Sequence, residues 1–398
     1  MTHEHGDFDD AAVAEDVRRR IWVAVAVCGV LVLVGLIVLW PGGGDDGLDP
    51  AGLDADPIAA SVSSVEVVPC SFDPLLGCKS VELVPSEGDF EGQRLVMEQS
   101  ITSTIESGDA ILVLIDEFDG TTIVTFYDFR RSTPLLILVL LFVTAIVVLG
   151  RWQGVGALAG LGMSLAIIIV FALPALLDGT NAVAVALVAA GAIAFVALFL
   201  AHGVNLATAT ALLSTLASLA LTGILAWAFV AVSNFTGFTD ESVGFLDALG
   251  TPIDARGLLL AGIVIGALGV LDDVTVTQVS AVSELERAAP GTSFRELYTR
   301  GLRIGRDHIS STVNTLFLAY AGAALPLLLL FREAGQSVGS VATREIVAVE
   351  IVRALVGSIG LVAAVPISTA LAAKVVTSTA TGPPAVEIGD DVESAPSP

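Results

Sequence analysis

Long apolar runs dominate the chain and recur from near its beginning to near its end. A helix needs about 20 consecutive apolar residues to cross the hydrocarbon core of a bilayer, and eight segments approach or exceed that length. The pattern therefore predicts an α-helical polytopic membrane protein with about eight transmembrane helices. The predicted spans are residues 21–39, 134–149, 155–177, 182–201, 206–232, 258–278, 312–331 and 346–373.

Between the first two spans, the pattern changes to short β-branched runs separated by turn signals such as Ser107-Gly108-Asp109. Runs of this kind are typical of the strands of a small all-β domain. We therefore expect an extracytoplasmic β-barrel-like domain, OB-like or SH3-like. Its predicted strands are residues 62–68, 81–84, 93–98, 110–115 and 122–129.

These patterns divide the chain into consecutive regions. The two ends are expected to be cytoplasmic tails, of which the second is rich in Pro, Ser and acidic residues and is expected to be disordered. The regions are a tail at 1–20, a transmembrane anchor at 21–40, a flexible acidic linker at 41–60, the β domain at 61–132, a seven-helix membrane domain at 133–374 and a tail at 375–398.

Charge is scarce, and this scarcity excludes a soluble protein. Only 15% of the residues are charged and 54% are hydrophobic, whereas soluble domains are about a quarter charged. The net charge of −24 argues against a nucleic-acid partner. Residues 41–132 contain 18 acidic and 4 basic residues, so that region either concentrates cations or is simply kept soluble by its charge.

The basic residues indicate the orientation of the chain. Lys and Arg are enriched in cytoplasmic loops, and the densest cluster lies between Arg287 and Arg306. Arg130 and Arg131 oppose the assignment, but the cluster outweighs them. Both termini are therefore expected to be cytoplasmic.

The same cluster contains a predicted amphipathic helix at about residues 292–309. Ser293 and Glu296 fit a capping box, and apolar residues then recur at helical spacing. Such a helix would lie on the inner leaflet facing anionic lipid headgroups, either to fix the topology or to gate the protein or dock a partner. Its lipid-facing basic residues are Arg295, Arg300, Arg303 and Arg306.

The sixth predicted span contains two adjacent carboxylates, Asp272 and Asp273. Charged residues inside a span are costly and mark ion or substrate pathways. Carboxylates beside hydroxyls suit a hard cation such as Na⁺, or a protonation site. The alternative is an interfacial ion pair with Arg303 or Arg306. The neighbouring candidates for the pathway are Thr275, Thr277 and Gln278.

A second polar stretch begins the seventh predicted span and includes His308 and Asn314. Because spans six and seven are joined by a short connection, they are expected to be antiparallel neighbours that line one polar pocket in the inner half of the bilayer. His titrates near neutral pH, which suits a proton relay; an interfacial His with satisfied hydrogen bonds is the alternative.

Few other residues or motifs suggest a disulfide, a catalytic site or a metal site. Cys70 and Cys78 lie in the region expected outside the cytoplasm, where a disulfide persists, and two free thiols are the alternative. Neither a Walker lysine motif nor H-E-x-x-H occurs. We therefore expect no enzyme activity, no cofactor and no metal site.

Three stretches resemble one family. They are GVLDDVTVTQ at 269–278, RIGRDHI with STVNTL at 303–316, and GRWQG at 150–154. Together they resemble the YibE/F-like membrane proteins over about residues 62–373. The resemblance implies a multi-pass protein of the bacterial cell membrane and draws attention to Asp272, Asp273, His308 and Asn314, but it implies no substrate.

Two functions fit these observations. The first is a gradient-driven or passive transporter or permease for an unknown substrate, with a cation or proton at the Asp272 and Asp273 site. The second is a non-transporting envelope scaffold that binds a partner through its β domain. An anchor needs only one or two spans, which favours the first.

Overall fold

The computed structural model describes residues 13–42 and 57–378, apart from 72, 74, 119–120, 240, 249–252, 334 and 336. The chain divides into two compact units. We call residues 45–149 the β unit, and residues 1–44 with 150–398 the helical unit. Most of the predicted linker and of the C-terminal tail falls on residues 43–56 and 379–398, outside the described residues.

The β unit contains one antiparallel sheet of five strands, as the turn signals predicted. Its strand order is β3-β2-β1-β4-β5, and the two edge strands β3 and β5 contact each other. Side chains alternate between the two faces of a strand, and burial alternates in this way in the second half of β2, at Val81 and Leu83, and at the start of β4, at Ile111 and Val113. The strands are β1 Ile58–Pro69, β2 Gly77–Pro85, β3 Leu95–Ser100, β4 Ala110–Phe118 and β5 Thr121–Phe129.

A disulfide joins the two ends of the β1–β2 connection. Cys70 and Cys78 are bonded, with their Cα atoms 4.9 Å apart. Both cysteines are buried, whereas Leu75 in the loop between them is 94% exposed.

Helices form the rest of the described chain. They are α1 Glu15–Val38, α2 Ser132–Ile167, a π-helical turn Ile168–Ala172, α3 Leu173–Leu177, α4 Ala182–His202, α5 Leu206–Val232, α6 Glu241–Ala248, α7 Ala255–Ala288, α8 Phe294–Ala323, α9 Leu325–Glu333, α10 Val338–Ala342 and α11 Glu345–Val376.

Six of the described helices are long and apolar enough to cross a membrane, and α8 with α9 makes a seventh if that pair is one span. The difference from the predicted eight lies in Ser132–Leu177, a run of 46 residues that holds two predicted spans. Its backbone leaves helical geometry at Arg151, where φ is 51° and ψ −130°. Arg151 is also the single charged residue of the run, so the break falls where the apolar pattern is interrupted.

The α8 helix differs from the prediction of a separate surface helix. Residues 294–323 form one continuous helix, so the basic segment and the start of the next span are parts of a single element. Leu297, Gly301 and Gly305 are buried on the face toward α7 and α11. Ser293 is the N-cap residue but makes no side-chain capping hydrogen bond. The helix bends by 57° into α9, where Pro326 cannot continue the helical hydrogen bonding.

The core of the helical unit is formed by α5, α7 and α11, which contact one another, with α4 and α8 packed beside them. Small residues allow these helices to approach closely. A side chain at Gly360 of α11 would collide with Thr222 of α5, and one at Gly156 would collide with the Leu200 carbonyl of α4.

Helix directions follow from the same contacts. Gly35 and Gly29 of α1 face Val188 and Phe195 of α4, respectively, so α1 is antiparallel to α4. At the start of α1, the amide of Ala14 donates to the carbonyl of Ser378, which follows α11.

Candidate functional site

Asp272 and Asp273 lie near the middle of α7, 17 residues after Ala255 and 16 before Ala288. Asp272 is half-buried and Asp273 is exposed. Both line a groove of about 530 Å³ between α7, α4 and the second part of α2. Most of its lining is apolar; the polar lining residues are Ser164, His202, Asp272, Asp273 and Thr277.

The groove depends on a close contact between α2 and α4. Gly156 faces the Leu200 carbonyl, and a Cβ at Gly160 would lie 3.2 Å from the Ala197 Cα. The two helices therefore touch along one edge. Gly269 of α7 lines the groove and has no side chain to narrow it.

Hydrogen bonds fix the backbone around the carboxylates. The Asp273 amide donates to Oδ1 of Asp272 at 2.9 Å. The hydroxyl groups of Thr275 and Thr277 donate to the backbone carbonyls of Asp272 and Asp273, at 3.0 and 2.8 Å. These hydroxyls are directed at the backbone rather than at the carboxylates.

The interfacial ion pair considered from the sequence is not formed. In the part of the chain that the structure describes, no ion pair joins Asp272 or Asp273 to Arg303 or Arg306, and both arginines are exposed. Arg300 pairs instead with Glu296, one helical turn away.

Thr275 and Gln278 lie on a different face of α7 and join helices. The hydroxyl oxygens of Thr275 and Thr215 are 2.6 Å apart. The Gln278 amide donates to the Gly301 carbonyl and to the Thr369 hydroxyl, each at 2.8 Å. Because Thr275 and Gln278 are both buried, these bonds hold α5, α8 and α11 against α7.

The structure does not bring His308 and Asn314 to the groove. His308 is half-buried, and its Nε2 atom is buried without a hydrogen-bond partner among the described residues. Asn314 is exposed. At about 100° per residue, Gln278 is rotated by about 140° around α7 from Asp273, so α8 packs on one face while the carboxylates point into the groove on another.

Two groove residues were not predicted, Ser164 and His202. Ser164 is an isolated hydroxyl in an apolar run, and it donates to the Gly160 carbonyl at 2.8 Å. His202 is the last residue of α4. In the sequence, the only indication that His202 could reach a site was its position at a helix end, just before Gly203.

The described residues also contain two patterns associated with catalysis or metal binding. Gly335 to Gly339 has the G-x-S-x-G spacing of a nucleophile elbow, but Ser337 caps the short helix α10, whereas the elbow lies between a strand and a helix. Cys70, Cys78 and Glu98 bring ligand atoms together, but the two sulfur atoms are bonded to each other.

The helical unit carries the family relationship. The model of the family described as YibE/F-like protein matches residues 138–378. The chain belongs to this family. The resemblance expected over about residues 62–373 is confirmed from residue 138 onward, including Asp272 and Asp273, while α1 and the five strands lie outside the matched residues. Comparisons with curated proteins and with solved structures found no match.

Proposed function

We propose that this YibE/F-like protein is a gradient-driven or passive transporter or permease, with a cation or proton site at Asp272 and Asp273. The observation that carries the proposal is the groove itself. It places two adjacent carboxylates, with Ser164 and His202, in a groove whose other lining residues are mostly apolar. Carboxylate, hydroxyl and imidazole groups in such a place can bind and release a cation or a proton.

The position of the carboxylates has an energetic cost that transport would explain. Asp272 is about 26 Å from one end of α7 and about 24 Å from the other, at 1.5 Å per residue. Within the apolar segment 258–278, Asp272 lies about 9 Å from the end nearer the basic cluster, so it bears part of the about 2.5–3.5 kcal/mol that an aspartate costs at the bilayer centre on insertion scales. A helix that served only as an anchor would gain nothing from two such residues.

Helix directions in the helical unit support eight crossings. Gly156 and Gly160 face Leu200 and Ala197 of α4, so residues 152–167 are antiparallel to α4, as α1 is. Two parallel helices cannot be consecutive crossings. The chain must cross once more between Gly42 and residue 152, and residues 134–149 are the apolar run available.

An even number of crossings places both termini on one side, in agreement with the hydrogen bond between Ala14 and Ser378. The Arg287–Arg306 cluster adjoins the end of α7 that lies on that side. By the positive-inside rule, this side is cytoplasmic in the cell membrane of a bacterium, and the strands that follow α1 are extracytoplasmic.

The basic residues of α8 fit a contact with lipid. Arg295, Arg303 and Arg306 are exposed and lie opposite the face formed by Leu297 and Gly305. Because α8 continues into the next span, these guanidinium groups extend from headgroup level into the cytoplasm, where anionic lipids attract them.

Flux measurements in proteoliposomes test the proposal. Purified full-length protein is reconstituted, and current and internal pH are recorded across a panel of cations and small metabolites. We expect a signal that is lost in Asp272→Asn/Asp273→Asn and kept in Glu284→Gln, an exposed carboxylate on the same helix. Equal signals from the wild type and the double variant would refute the proposed site.

A scaffold is the second candidate, because the β unit exposes large apolar side chains. Leu75 is 94% and Phe118 74% exposed, and a groove of about 490 Å³ lies beside the disulfide. Absence of flux for every solute, with folded protein, would favour this function.

A further inference from the structure

A second polar cluster lies in the helical unit, away from the groove. Arg353 and Glu350 of α11 form an ion pair at 2.8 Å, and each side chain is 29% exposed. Tyr320 of α8 interacts electrostatically with both charges. The cluster lies against Gly262 and Gly266 of α7, so three helices contribute to it.

The two glycines make room for the cluster. A Cβ at Gly262 would lie 4.0 Å from Nη2 of Arg353, and one at Gly266 would lie 3.6 Å from the Tyr320 hydroxyl. They are one helical turn apart, on a common face of α7. Gly262 is about 15 Å along the helix from Asp272, toward the end of α7 opposite the basic cluster.

Not all N–H donors of the Arg353 guanidinium have a hydrogen-bond acceptor among the described residues. It carries five N–H donors, and Glu350 accepts from Nη1. The Nε atom is buried without a hydrogen-bond partner among the described residues. A buried donor without a partner is unfavourable, and the Nε–Nη2 edge is a fork that matches two oxygens of a carboxylate or phosphate.

We propose that Arg353 and Tyr320 form a binding site for the carboxylate or phosphate group of a small anion. Glu350 holds the guanidinium while the site is empty, and the incoming anion competes with it. Opening of the cluster gives the ligand access to Nε. If the transport proposed above also holds, the substrate is an anion that moves together with the cation bound at Asp272; anion binding itself does not depend on that step.

A purely structural ion pair makes different predictions. Neutralising Glu350 would then only remove a favourable contact. In an anion site, it removes a competing negative charge next to the ligand, so anion affinity increases. The sign of the Glu350→Gln effect therefore separates the two explanations.

The experiment is a thermal-shift titration of the full-length protein in detergent micelles. The probes are acetate and inorganic phosphate, with chloride at matched ionic strength as the control, and intrinsic tryptophan fluorescence reports the Tm. We expect a saturable rise in Tm with acetate or phosphate for the wild type. Glu350→Gln is expected to bind about tenfold more tightly, within the usual range of coupling between sites.

Arg353→Gln alone leaves Glu350 without its partner and can prevent folding. The double variant Arg353→Gln/Glu350→Gln avoids an unpaired charge and is expected to show no anion-specific shift. Asp272→Asn is expected to keep the shift, which separates this proposal from the one on the groove. A flat titration of folded wild type and Glu350→Gln, or an unchanged shift in the double variant, would overturn the anion site.

Discussion

Residues on opposite faces of α7 have different tasks, although they are close in sequence. Gln278 joins α8 and α11 through two buried hydrogen bonds, while Asp272 and Asp273 point into the groove. Hydrogen bonds between membrane helices contribute to their association, whereas a charge in a span opposes insertion. Stability and function should therefore respond to different substitutions on this helix.

Replacement of Gln278 by Ala is expected to destabilise the helical unit by about 1–2 kcal/mol, because both buried hydrogen bonds that Gln278 donates to α8 and α11 are lost. The measurement is unfolding by SDS titration in mild detergent. Asp272→Asn serves as the contrast and is expected to unfold at the same SDS fraction as the wild type, or at a higher one. An unfolding curve for Gln278→Ala that matches the wild type would contradict the assigned role.

The sequence predicted these residues as a group, but not their division between two faces. The 3.6-residue period places Asp273 and Gln278 on different sides of a helix, and this could have been read in advance. Which helices cover each side could not, because it depends on contacts such as Gly301 with Gln278 and Gly156 with Leu200, which join segments far apart in sequence.

For the helices and strands, local sequence signals such as turn residues and apolar runs predicted which elements are present better than they predicted where each element ends. Turn residues marked all five strands, and the polar Gly150–Gly154 stretch marked the break at Arg151. The prediction that residues 292–309 form a separate surface helix differs from the structure, because no residue between His308 and Thr312 interrupts the helix. Basic residues ended the hydrophobic pattern without ending the α-helix.

The contact between α2 and α4 can be tested by adding a methyl group at one of its glycines. Gly156→Ala places a methyl group against the Leu200 carbonyl and is expected to cost about 1–3 kcal/mol, as overpacking does. Gly162→Ala in the same segment is the control, since a Cβ there meets nothing within 4 Å, and it is expected to be neutral or slightly stabilising. SDS unfolding measures both. Equal behaviour of the two variants would mean that this contact does not hold the groove together.

For the whole molecule, the arrangement of crossings decides which side of the membrane each polar cluster faces. The proposed topology adds a crossing by residues 134–149, because α1 and residues 152–167 run in the same direction. In the proposed topology, the Asp272 groove would lie toward the cytoplasmic side and the Arg353 cluster toward the outer side. A cation site and an anion site at different depths would then be reached from opposite faces.

Single-cysteine labelling tests this arrangement in intact cells. The background carries Cys28→Ala, since Cys28 is free and Cys70 and Cys78 are bonded to each other. Substitutions are Gly42→Cys, Gly150→Cys and Pro290→Cys; a Cβ at Gly42 or Gly150 meets nothing within 4 Å. A membrane-impermeant maleimide is expected to label Gly42→Cys directly, and the other two only after permeabilisation. If Gly150→Cys reacted from outside together with Gly42→Cys, residues 134–149 would not cross, and the placement of both polar clusters would have to be reversed or abandoned.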